Sequence, residues 1–120
     1  MKALRAGCAG AVLFLGASVA WSQNRPDVDL IATSHREYVN CIRDYVTKLA
    51  GTSERPDDIA DAGLGSCQRQ RGGFVRALFD SRLYSAEQSQ AQARDEDVNL
   101  RHMALAIILS ARHKAASPAP

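Results

Sequence analysis

The chain has 120 residues, which allows one domain. Its 15 Lys and Arg stand against 13 Asp and Glu, and Lys2 and Arg5 account for the whole excess. From residue 6 onward the charge is balanced, so a net basic field that would draw in nucleic acid or anionic lipid is not expected.

Lys2 and Arg5 open a three-part pattern. An apolar stretch from Ala9 to Ala20 follows them, and then small residues at Ser18 and Ala20, or Ala20 and Ser22. This is the layout of a secretory signal peptide over residues 1–22, with the mature chain beginning near Gln23. The competing arrangement is an uncleaved N-terminal anchor. The apolar stretch is about 12 residues, whereas a membrane span needs about 20, so no stable span is expected once the signal is cut. Cys8 precedes the apolar core instead of following it, which is the wrong order for a lipidated cysteine. A periplasmic or secreted location follows.

Three helices are expected in residues 23–114. The first runs over residues 27–50. Pro26 suits a first helical turn, Asp27 and Asp29 match the N-terminal dipole, and Ile31, His35, Tyr38, Ile42, Tyr45 and Leu49 recur at helical spacing. Gly51 stands where a helix-ending glycine belongs. The second helix runs over residues 56–81, with Ser53 as a candidate cap and Asp57 and Asp58 as first-turn acids. Gly63, Gly65, Gly72 and Gly73 lie within it, and the Gly72–Gly73 pair marks a candidate kink. The third helix lies within residues 85–113. Ser85 and Gln88 have capping-box spacing, while Asp95, Glu96 and Asp97 offer a second start. One long helix and two pieces meeting near residue 94 both remain open. A disordered tail is expected over residues 115–120. No strand signal of useful length appears, and the fold class is all-α.

Cys41 and Cys67 are the two cysteines left in the exported chain, where an oxidising compartment favours a disulfide. If the first two helices form an antiparallel hairpin, both cysteines sit about 14–17 Å from its turn, so a staple fits. Closing a loop of this size contributes about 3.5 kcal/mol in the chain-entropy model. A catalytic cysteine needs a neighbouring base, and a metal site needs convergent ligands at recognisable spacing; neither pattern surrounds Cys41. The same register sets Tyr45 against Gly63, Leu49 against Ile59 and Glu37 against Arg71.

Other residues that could carry chemistry have structural readings. His35, His102 and His113 are too dispersed to share a metal along one helix. RQRGG, residues 69–73, is a single copy of an arginine-glycine pattern and reads as a solvated helix face. The acids at Asp57, Asp58, Asp61 and Asp95 to Asp97 read as helix-start residues. No hydrolase, metalloprotease or phosphate-loop motif is present. No catalytic, cofactor-binding or metal-ligating residue is assigned, and no enzymatic role is expected.

MALAIIL, residues 103–109, is apolar on every side of a helix. Either the domain encloses it or part of it meets another chain or a membrane surface. Met103, Leu105, Ile108 and Leu109 form the candidate interaction surface, with Ile107 expected toward the core and Ile108 toward the periphery.

Tyr38-x-x-Cys41, then Ile59-Ala60-x-Ala62 leading to Cys67, then Ile107-x-Leu109-x-Ala111-Arg112 together resemble a loose group of small exported two-cysteine helical proteins of Gram-negative bacteria. That group has no assigned activity, so the resemblance implies an exported, disulfide-bonded helical domain and no functional residue. The leading expectation is a protein acting by protein–protein or envelope interaction, with an unidentified protein partner or a homo-oligomer. A small stress or chaperone-like protein is the second reading, by analogy of architecture. A metal carrier or enzyme is the third.

Overall fold

The structure is a computed structural model and describes residues 25–117. The expected signal segment 1–22 and the last three residues of the expected tail lie outside the described residues. The regular structure that is described is all helical: α1 (Pro26–Leu49), α2 (Pro56–Ser66), α3 (Gln68–Asp80) and α4 (Ala86–Ala116).

Pro26 occupies the first turn of α1, with Asp27 and Asp29 beside the unpaired N–H groups. The inward stripe buries Tyr38, Ile42 and Val46 completely. The end of α1 departs from expectation. Gly51 follows the C-cap Ala50, yet no described glycine has positive φ, so no left-handed glycine closes this helix. Thr52 and Arg112 supply the missing donors instead. The Thr52 backbone N–H and hydroxyl both reach the Leu49 carbonyl, and Arg112 Nε donates to the Ala50 carbonyl at 3.0 Å. Arg112 Nη2 also donates to the carbonyls of Thr52 (2.8 Å) and Glu54 (2.5 Å). One guanidinium of α4 thus satisfies the C-cap carbonyl of α1 and two carbonyls of the connection that follows.

The expected second helix is two. α2 begins after Arg55 with Pro56 in its first turn, and Ser53 makes no cap bond. The break falls at Cys67, with φ −100° and ψ 20°, and not at Gly72–Gly73. Hydrogen bonds from Cys67 N to Gly63 O and from Arg71 N to Cys67 O continue on either side, so the departure is confined to the residue tethered to α1. Gly72 and Gly73 have open space where a Cβ would stand, and the helix passes through them undisturbed.

α1 meets α2 and α3 in opposed order. Tyr45 and Val46 lie against Gly63, where an added Cβ would come within 3.3 Å of Val46. Cys41 is bonded to Cys67 with a Cα separation of 6.0 Å. His35 packs against Phe74 with ring centroids 5.3 Å apart and the rings tilted by 56°. Glu37 does not face Arg71 as a partner; Arg71 turns toward α4.

Ser85 caps α4 with the full reciprocal capping box, its hydroxyl accepting from Gln88 N and its own N–H donating to Gln88 Oε1. The helix then runs unbroken for 31 residues, so Asp95, Glu96 and Asp97 lie mid-helix and do not start a new one. It also continues through Ala115 and Ala116, two residues into the expected tail. Its buried positions are Ser89, Ala93, Leu100, Ala104 and Ile108, which pack on α1, α2 and α3. Most are small, so the backbone of α4 can approach its neighbours closely.

Candidate functional site

Two arrangements come out of this packing. The first is a polar cluster where α1, α3 and α4 meet. Tyr38 on α1 is fully buried and its hydroxyl donates to Asp97 Oδ1 at 2.8 Å. Arg71 Nε donates to both oxygens of the same carboxylate, at 3.0 and 2.8 Å. One helical turn toward the start of α1, His35 Nε2 lies 2.7 Å from Glu96 Oε1. Burial and then the Asp97 carboxylate push the Tyr38 phenol well above the ordinary tyrosine range.

A second set of charges fastens α4 to α2. Arg101 Nε donates to Asp61 Oδ1 at 2.7 Å and Arg101 Nη2 to Asp57 Oδ1 at 2.9 Å. The Arg101 hydrogen bond holds the Asp61 carboxyl below its usual range. These acids therefore do more than complement a helix dipole. Arg71, the central cation of the RQRGG stretch, is likewise committed to an internal pair.

Among the described residues, every buried side-chain nitrogen or oxygen has a hydrogen-bond partner, and no three His, Cys, Asp or Glu converge as metal ligands would. Each carboxylate of the α1–α3–α4 cluster is answered by a donor on another helix, which is the signature of a fastening. An open depression of about 770 Å³ lies beside the Cys41–Cys67 bond, bordered by Glu37, Asp44, Lys48 and Arg69. Its charges are of both signs and do not converge.

The second arrangement is the outward surface of α4, and it requires a correction. Ile108 is fully buried, whereas Ile107 is only partly buried, the reverse of the expected pair. The reason is the position of α2. Of the inner stripe expected from Leu100, Met103, Ala104 and Ile107, Leu100 and Ala104 are buried, but Ile108 takes the place of Ile107 on the side where Arg101 reaches α2. Ile108 therefore leaves the candidate surface. Leu109 is 56 % exposed and Val98 55 %, while Met103, Leu105 and Ile107 are half-buried against the core. Cys41 and Cys67 are joined to each other. His102 and His113 lie exposed on α4, apart from His35.

The polar cluster was missed by sequence reasoning, although a signal for it exists. Ala93, Asp97, Leu100 and Ala104 recur at spacings of four, three and four, which places Asp97 on the buried stripe.

No protein-family model, curated protein or solved structure matches the chain. Among the described residues, no helix is long and apolar enough to cross a membrane.

Proposed function

We propose that this is an exported helical protein, periplasmic or secreted, that acts by binding another macromolecule through the outward face of α4. In this reading α1 and the α2–α3 pair make a stapled antiparallel hairpin, and α4 lies across it as the presenting element. The observation that carries the proposal is the exposure of Leu109 and Val98 on a helix whose Met103, Leu105 and Ile107 are also incompletely covered. Val28, Leu30, Phe79 and Leu83 are similarly exposed on α1, α3 and the turn that follows α3, whereas Val98 and Leu109, eleven residues apart, stand on one side of α4, which favours a contact surface there. The internal pairing of the polar groups supports the same reading, since it leaves them committed to holding helices together. The segment at residues 1–22 supports export, and the Cys41–Cys67 bond suits an oxidising compartment.

The test is a substitution at the exposed position 109. Leu109→Asp is expected to leave the helical circular dichroism intact and abolish association in cross-linked envelope preparations. Retained association with a folded Leu109→Asp protein would count against this face.

A further inference from the structure

The residues bordering this face also specify its partner, granted the reading of α4 as a contact surface. At about 100° per residue, Ala106 points away from the stripe that buries Ala104 and Ile108. It is exposed, with Leu105 and Leu109 on one flank and Met103 and Ile107 on the other. A shallow depression of about 590 Å³, lined by Met103, Ala106, Ile107, Ser110, Ala111 and Lys114, follows the helix there.

Charge along this face is ordered. Asp95 and Glu96 lie before the apolar section, and His113 and Lys114 lie after it. Arg101 and Arg112, which fall between, are engaged with Asp57 and Asp61 and with the carbonyls after α1. Arg94 is exposed but lies about 100° round the helix from Asp95. Glu96 already accepts from His35 and has one oxygen turned to Asn99.

We propose that the outward face of α4 pairs with the same face of a second copy, the two helices lying antiparallel. A two-fold axis keeps each flank of one helix beside the same flank of the other. With facing residue numbers adding to about 209, Ile107 meets Met103 of the other copy, and Ala106 meets His102. The same register brings His113 to Asp95 of the other copy on matching flanks, with Lys114 next to His113. A parallel pair would instead set Asp95 against Asp95 and Lys114 against Lys114, so charge selects the antiparallel arrangement.

Sedimentation equilibrium of the exported protein from micromolar to millimolar concentration tests this. The expected result is a concentration-dependent dimer. Ala106→Glu, at an exposed position, should give a monomer with unchanged circular dichroism. Asp95→Lys should weaken dimerisation about tenfold, because the symmetry counts each change twice, and adding His113→Glu should restore it. A monomer at every concentration overturns the self-pairing, as does a dimer indifferent to Ala106→Glu. If the protein sediments only as a monomer while Leu109→Asp still abolishes envelope cross-links, self-pairing falls and the wider reading of the face stands.

Discussion

The Tyr38 hydroxyl and the Asp97 carboxylate, 2.8 Å apart, join the most buried aromatic ring of α1 to the middle of α4. Arg71 completes the group from α3. Replacing Asp97 by Ala leaves a buried hydroxyl and a guanidinium without their partner, and should lower stability by about 2–4 kcal/mol in urea melts. Tyr38→Phe, which removes only the hydroxyl, should lower it by about 1 kcal/mol. Equal losses from the two would contradict a shared carboxylate.

The same tyrosine sets a pH dependence. Burial, then Asp97, push its phenol upward, so the folded protein holds that proton more tightly than the unfolded chain. The resulting stabilisation is complete below the unfolded tyrosine value of about 10 and is lost as pH rises through the folded-state value. Urea midpoints of the wild type should therefore fall more steeply above about pH 10 than those of Tyr38→Phe. Asp61 acts in the opposite sense: its depressed carboxyl contributes above the ordinary aspartate range and ceases to contribute as pH falls through its folded value.

Ile108 and Leu109 are adjacent in sequence and opposite in burial. Ile108→Ala should cost about 2–5 kcal/mol, and Ile108→Asp should unfold the domain by bringing an unpaired charge into the core. Leu109→Asp should change stability by less than about 0.5 kcal/mol. Circular dichroism melts of the three variants decide this, and equal unfolding by both Asp substitutions would contradict the burial pattern.

Replacing both Cys41 and Cys67 by Ser should lower stability by about 2–4 kcal/mol while the helical signal persists at low temperature. Peptide mapping without reductant should recover the two cysteine peptides joined.

Arg82, in the turn between α3 and α4, has φ 58°, a left-handed conformation that strains any side chain with a Cβ. Its N–H closes the end of α3 on the Phe79 carbonyl, so the conformation belongs to the helix ending. Arg82→Gly should raise stability by about 0.5–1 kcal/mol in thermal melts.

How far the sequence could be read depended on whether the signal was local. The capping box at Ser85 and Gln88, the proline start of α1 and the level placement of Cys41 and Cys67 each rest on neighbouring residues or a simple rise per residue. Each was legible for that reason. The break at Cys67 was not, since four glycines pointed elsewhere and the tether acts only in three dimensions. Arg71 illustrates the same limit: the hairpin register set it against Glu37, but its partner, Asp97, comes from a helix whose rotation only packing fixes. That rotation also exchanged the expected roles of Ile107 and Ile108, which removed one residue from the candidate surface and left Leu109 on it.

Site-specific photo-cross-linking in the cell envelope bears most directly on the proposed role of α4. A photoreactive residue in place of Leu109 is compared with one in place of Arg69, which is exposed on α3. The account predicts a discrete adduct from position 109 and none from position 69, with twice the chain mass if the partner is a second copy. No adduct at position 109, or equal adducts at both, would contradict it.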